Sequence, residues 1–193
     1  MFYRISKVFV WLYLRFLFRV EVKGNLPKTG ACLICPNHTS YYDPAVVAAF
    51  SNRPLTFMAK QELFSSRLFG WLIRSLGAFP VNRDTNGLSA VKTTLSILKQ
   101  EKVTLIFPEG KRNKTGSKIA PKAGAVLIAQ RAKVPIVPVG IKCSFRPFSK
   151  LKVTYGEPIT FEKYYGQRLE GEELDNLANQ LMDQILMLAE AEV

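Results

Sequence analysis

Apolar positions along this chain fall into two kinds of run. Short, nearly unbroken stretches bounded by turn residues predict strands over 20–23, 31–35, 55–60, 77–81, 103–107 and 152–155. Stretches with apolar residues three and four apart predict helices over 44–50, 61–76, 87–102 and 123–133, the third with Asn86 as its cap. Leu174, Leu177, Leu181, Ile185 and Leu188 give the acidic C-terminal stretch one apolar face, predicting a closing helix. Residues 134–141 are β-rich but carry Pro135 and Pro138, which predicts an edge or irregular strand. Strands alternating with helices predict an α/β fold: a mixed, largely parallel central sheet flanked by helices. No internal repeat or low-complexity segment interrupts it, and 193 residues suit one domain with a sizeable core.

Residues 2–19 depart from the short-element pattern. They are apolar and aromatic, broken by Arg4, Lys7, Arg15 and Arg19. On a helical projection those charges share an arc of about 120°, and Phe2, Ile5, Phe9, Leu12, Phe16 and Val20 stand opposite. This predicts an amphipathic helix lying in a bilayer interface, its basic groups towards anionic headgroups. Spanning the bilayer would bury Lys7 or Arg15 at about 2.5–3.5 kcal/mol each. A core helix with snorkelling charges is the alternative, since Val8, Trp11 and Phe18 interrupt the polar arc. A cleaved signal peptide fits less well, because arginines break the apolar region and no small-residue cleavage site follows. Lys60, Arg67 and Arg74, seven apart, predict a basic ridge along the 61–76 helix, either a second membrane-facing surface or a solvated face.

Charge sharpens this picture. The net charge is +12, but residues 157–193 hold nine acidic and two basic side chains, leaving a body of 25 basic against 6 acidic. Such a body fits an anionic partner: a membrane surface, a phosphorylated lipid, an acidic protein or nucleic acid. Cys32, Cys35 and Cys143 are an odd set that fits reduced thiols. The C-x-x-C spacing of Cys32 and Cys35 falls inside a predicted strand with no second pair, so two small buried residues are expected rather than a metal site.

Candidate chemistry converges on Asn37-His38-Thr39-Ser40-Tyr41-Tyr42-Asp43. His38 is the sole histidine, the side chain suited to moving protons near neutral pH. It follows a predicted strand, at the end where open α/β sheets place ligands. From five residues on, Asp43 can reach back to its second ring nitrogen. Asp43 before Pro44 also fits a helix N-cap with a first-turn proline, and one carboxylate can serve both roles. A second candidate is the cationic loop 108–116, which leaves another predicted strand and carries Glu109, Gly110, Lys111 and Arg112. With Lys118, Lys122 and a helix start near Ala123 it predicts an anion site; the plain alternative is a solvated surface loop.

Read together, four ordered blocks resemble the glycerolipid acyltransferase family, most closely its short bacterial 1-acylglycerol-3-phosphate branch. They are Asn37-His38-x-Ser40-x-x-Asp43, then Arg83 after an apolar strand, then Phe107-Pro108-Glu109-Gly110-x-Arg112, then Val134-Pro135-Ile136-Val137-Pro138-Val139. Lys111 and Asn113 stand where that family often has threonine and serine, a departure that bears on substrate preference. The resemblance implies a glycerol-3-phosphate acyltransferase-like fold, divided into a membrane-interface helix over 1–20 and an acyltransferase domain over 21–193. It implies His38 as general base and Asp43 as its orienting partner, with no covalent acyl-enzyme. It implies Arg83 as the acceptor-phosphate ligand and Glu109, Gly110 and Arg112 as the glycerol-phosphate pocket, with Asn37, Ser40 and Lys60 completing the substrate-binding set. Backbone donors near Gly110 are expected to stabilise the oxyanion.

The implied reaction acylates the sn-2 hydroxyl of lysophosphatidic acid to phosphatidic acid, with acyl-CoA or acyl carrier protein as co-substrate and no metal or other cofactor. The implied location is the cytoplasmic face of the cell membrane, peripheral or monotopic. Other acceptors, glycerol-3-phosphate or a lyso-aminolipid, stay open. Two rivals lie outside the family: a thiol hydrolase using Cys35 with His38, and a non-enzymatic basic module for membranes or nucleic acid. No specific nucleic-acid motif supports the latter.

Overall fold

A computed structural model describes residues 2–81, 87–113 and 119–191. Strands β1 (Arg19–Lys23), β2 (Cys32–Pro36), β3 (Leu55–Lys60), β4 (Ala78–Val81), β5 (Val103–Leu105), β6 (Ile136–Cys143) and β7 (Lys150–Tyr155) form one sheet in the order β1-β7-β6-β2-β5-β3-β4. The run β6-β2-β5-β3-β4 is parallel throughout; β7 lies antiparallel on β6 and carries β1 parallel to itself. The predicted mixed, largely parallel α/β sheet is therefore present.

The helices are α1 (Phe2–Leu17), α2 (Asp43–Phe50), α3 (Arg67–Ser75), α4 (Leu88–Leu98), α5 (Gly124–Ala132) and α6 (Gly171–Glu190). Because successive strand residues face opposite ways, β2 feeds two cores. Cys32 and Ile34 join Leu14 of α1, Phe18 just beyond its end, and Val46 and Val47 of α2 on one face. Leu33 and Cys35 join Val126 and Ala129 of α5 and Leu181 and Ile185 of α6 on the other. Both faces of the central strand are covered, which is why it reads as an unbroken apolar run.

Two expectations are corrected. The 61–76 stretch is not one helix: a 3-10 turn covers Gln61–Phe64, and α3 begins only at Arg67. Ser66 N-caps α3 by accepting the Phe69 amide. Its neighbour Gly70 lets the turn fold back, since a Cβ there would stand 2.8 Å from the Phe64 carbonyl oxygen. Lys60 belongs to β3, so the seven-residue basic spacing does not lie along one helix. The second correction is β6, an eight-residue strand inside the sheet rather than at its edge. Pro138 fits because its carbonyl, which accepts the Gly156 amide at 2.9 Å, and its donor-less nitrogen both turn towards β7 just past the last pair, Val139 with Tyr155. The cap expected at Asn86 lies outside the described residues; Gly87, with φ +73°, precedes α4.

Candidate active site

Strands β2 and β5 are neighbours, yet the chain leaves them towards opposite faces. From β2 it enters α2, packed in one core; from β5 it reaches α5, packed in the other. The loops after their C-terminal ends therefore part around a crevice, the place where open α/β sheets hold ligands. His38 stands on one lip and Phe107–Arg112 on the other.

The His38 loop is fixed at nearly every polar atom. His38 Nδ1 lies 2.9 Å from Asp43 Oδ2, and the Thr39 and Ser40 amides each donate to that same oxygen at 2.7 Å. Asp43 is wholly buried, and its Oδ1 has no partner among the described residues. The expected N-cap role is not what the carboxylate performs. Asp43 is the first residue of α2 and its acceptor turns back to the loop, while Tyr42 precedes the helix without a side-chain cap bond. The His38 amide donates to Glu109 Oε1 at 2.7 Å, and the His38 carbonyl accepts the Asn113 amide at 2.7 Å. The β5 loop thus clamps the His38 backbone from across the crevice. Phe107 stacks on the imidazole, centroids 3.9 Å apart and planes 19° from parallel.

This geometry leaves one ring atom for chemistry. With Nδ1 turned to a carboxylate, which accepts only, the ring holds its proton there and its lone pair at Nε2. Among the described residues no hydrogen bond engages Nε2, and the side chain keeps 16% exposure. The arrangement can accept a proton at Nε2 and stabilise the imidazolium through Asp43.

Glu109 is buried, and desolvation holds its carboxyl above the ordinary carboxylate range, partly offset by the His38 amide and the Asn113 side chain. Gly110 closes the turn at φ +68°, its amide donating to the Phe107 carbonyl at 3.0 Å. That amide is engaged within the turn. A Cβ at Gly110 would meet the Lys122 side chain at 2.8 Å, placing Lys122 against the same loop. Arg112 lies across the Tyr41 ring, its guanidinium carbon 3.4 Å from the centroid.

The other expected site residues separate. The Asn37 amide group bonds both backbone groups of Ile141, at 2.9 and 2.7 Å, tying the end of β2 to β6. Ser40 Oγ accepts the Tyr42 amide at 3.2 Å. Lys60 is exposed at the C-terminal end of β3, one strand beyond β5. Arg83 and Lys118 lie outside the described residues. Sequence reasoning missed the Phe107 stack, the Asn113 clamp and the Tyr41 contact; aromatic residues inside two candidate loops were the available signal. Cys35 is fully buried and burial raises its thiol, while Cys32 is pushed up to about 11. Both thiols are thus kept as inert core groups, which removes the support for a Cys35 nucleophile. Among the described residues no group of three or more His, Cys, Asp or Glu side chains is placed to hold a metal ion.

The model of a family described as "Acyltransferase" matches residues 18–142. A 1-acyl-sn-glycerol-3-phosphate acyltransferase of Streptococcus pneumoniae is 35% identical over 166 residues, covering 82% of this chain and 60% of that protein. One of Bacillus subtilis is 34% identical over 157 residues, covering 78% of this chain and 77% of its own length. The chain thus spans only three fifths of the first relative. Among solved structures, the 1-acyl-sn-glycerophosphate (LPA) acyltransferase PlsC of Thermotoga maritima superposes with a TM-score of 0.76 at 22% identity, covering 99% of this chain and 81% of that one, and so shares its fold.

Proposed function

The chain belongs to the acyltransferase family, and on that premise we propose that it transfers an acyl chain from acyl-CoA or acyl carrier protein to the sn-2 hydroxyl of lysophosphatidic acid. The observation that carries the reading is the His38–Asp43 pair, held at 2.9 Å on a side chain that keeps 16% exposure, with Nε2 unengaged among the described residues. His38 Nε2 takes the hydroxyl proton as the acceptor oxygen attacks the thioester carbon. The tetrahedral intermediate collapses with cleavage of the C–S bond, and the imidazolium returns the proton to the departing sulfur. Products are phosphatidic acid and the free thiol. Asp43 keeps the tautomer and stabilises the imidazolium between those steps. Arg112 binds the acceptor phosphate, where a guanidinium fork can make two parallel bonds. Arg83 joins it on the resemblance of its sequence block.

The lipid acceptor places the enzyme at a membrane, and α1 supports that. Leu14 packs inward while Ile5, Phe9, Leu12 and Phe16 are exposed, leaving an apolar arc beside Arg4 and Arg15. Phe2 meets Trp71 of α3 at 5.0 Å between centroids, which joins that arc to the exposed Leu68 and Trp71. Among the described residues no helix is long and apolar enough to cross a membrane. On this reading α1 lies along the membrane surface, peripheral or monotopic on the cytoplasmic face.

The test offers acyl-CoA and acyl carrier protein separately, each with lysophosphatidic acid, glycerol-3-phosphate and a phosphate-free lyso-lipid. Lysophosphatidic acid should be the preferred acceptor, and His38→Ala should lower kcat by about 10²–10⁴-fold. Equal turnover of the phosphate-free acceptor would remove the role of Arg112.

A further inference from the structure

Tyr41 is 79% exposed, so its ring gains little from burial, yet it is the surface on which Arg112 rests. At 3.4 Å the guanidinium carbon sits one π-layer above the ring centroid. A guanidinium stacked by its face keeps its N–H edge free for an anion. Among the described residues no carboxylate pairs with Arg112. Tyr41 is itself anchored. The preceding amides of Thr39 and Ser40 are bound to Asp43, and the following Tyr42 stacks on Phe145 at 5.6 Å. The loop that aims His38 thus also extends a platform across the crevice to the β5 loop.

We propose that Tyr41 is a positioning residue: its ring holds Arg112 with the N–H edge turned to the acceptor phosphate, at a spacing fixed by the same loop that carries His38. This rests on the reading of Arg112 as a phosphate ligand. In lysophosphatidic acid the phosphate and the reacting hydroxyl are separated by a short glycerol backbone. Tying the anion ligand and the base to one loop sets that separation before substrate arrives. Without the ring, Arg112 sweeps many rotamers in solvent and must be ordered on each binding event.

Acceptor titrations at saturating donor, and donor titrations at saturating acceptor, test this on Tyr41→Ala, Tyr41→Phe, Arg112→Ala and the Tyr41→Ala/Arg112→Ala double variant. Tyr41→Ala should raise the acceptor KM by about threefold to thirtyfold, the range of a cation–π contact. The donor KM should stay put, and Tyr41→Phe, which keeps the ring face, should restore the acceptor KM. In the Arg112→Ala background Tyr41→Ala should add nothing. If Arg112→Ala leaves the acceptor KM unchanged, the phosphate reading itself fails and this proposal with it. If Arg112→Ala raises KM while Tyr41→Ala does not, or if the two effects multiply independently, the phosphate reading survives and the platform role is overturned.

Discussion

A buried carboxylate at each end of the His38 peptide does different work. Asp43 gathers the imidazole and two loop amides on one oxygen; Glu109 grips the His38 backbone from the facing loop. The spacing of His38 and Asp43 made the first legible in sequence. The second was not, because Glu109 stands 71 residues away and only the adjacency of β2 and β5 brings it there. A glutamine at 109 keeps an acceptor for the His38 amide, and an alanine does not. Glu109→Ala should therefore lower kcat by about 10²-fold, the scale of a misplaced reacting group, while Glu109→Gln should retain much more activity. The raised carboxyl of Glu109 also fixes a sign. Its contribution to stability is complete below the ordinary carboxylate range and is lost as pH rises through its folded value. Thermal unfolding should thus show Glu109→Gln gaining on the parent protein between acid and neutral pH; a constant difference would refute the linkage.

Helix α1 shows how one element carries two apolar stripes. Tyr3, Val10, Leu14 and Leu17 turn towards the body, with Lys7 reaching the Ser51 carbonyl. Phe2, Ile5, Phe9, Leu12 and Phe16 turn to solvent, as the helical projection placed them. Periodicity located the exposed arc and the basic arc but not the packing stripe between them, since an apolar residue looks the same in either role. Lys7 is correspondingly half-buried and its amine is lowered by desolvation, unlike the headgroup-facing charge expected of it. The two stripes should respond differently to mutation. Phe9→Asp with Phe16→Asp should release the protein from anionic vesicles with little change in unfolding temperature. Leu14→Ala, opening a hole in the core, should cost about 2–5 kcal/mol of stability yet leave vesicle binding in place. Retention of the double aspartate variant on vesicles would move the anchor elsewhere.

On the scale of the whole molecule, charge divides along the chain rather than by layer. Helix α6 carries Glu172, Glu173, Asp175, Asp183 and Glu190 with no basic residue, while α4 and α5, packed in the same core, belong to the basic body with Lys92 and Arg131. Association with anionic vesicles should weaken steeply as salt rises past about 0.1 M, where the Debye length falls to about 10 Å, and neutral vesicles should show far less of that dependence in co-sedimentation. The sequence by itself determined the alternation of strands and helices, the basic body and the His38–Asp43 pair, because each rests on residues a few positions apart. Only the tertiary structure decided that Pro138 sits within the sheet and that Glu109 and Asn113 clamp the His38 backbone. It alone showed that Asn37 is tied to Ile141 and that Tyr41 meets Arg112. Those contacts join segments tens of residues apart, and their distances follow from strand order, which local periodicity does not encode.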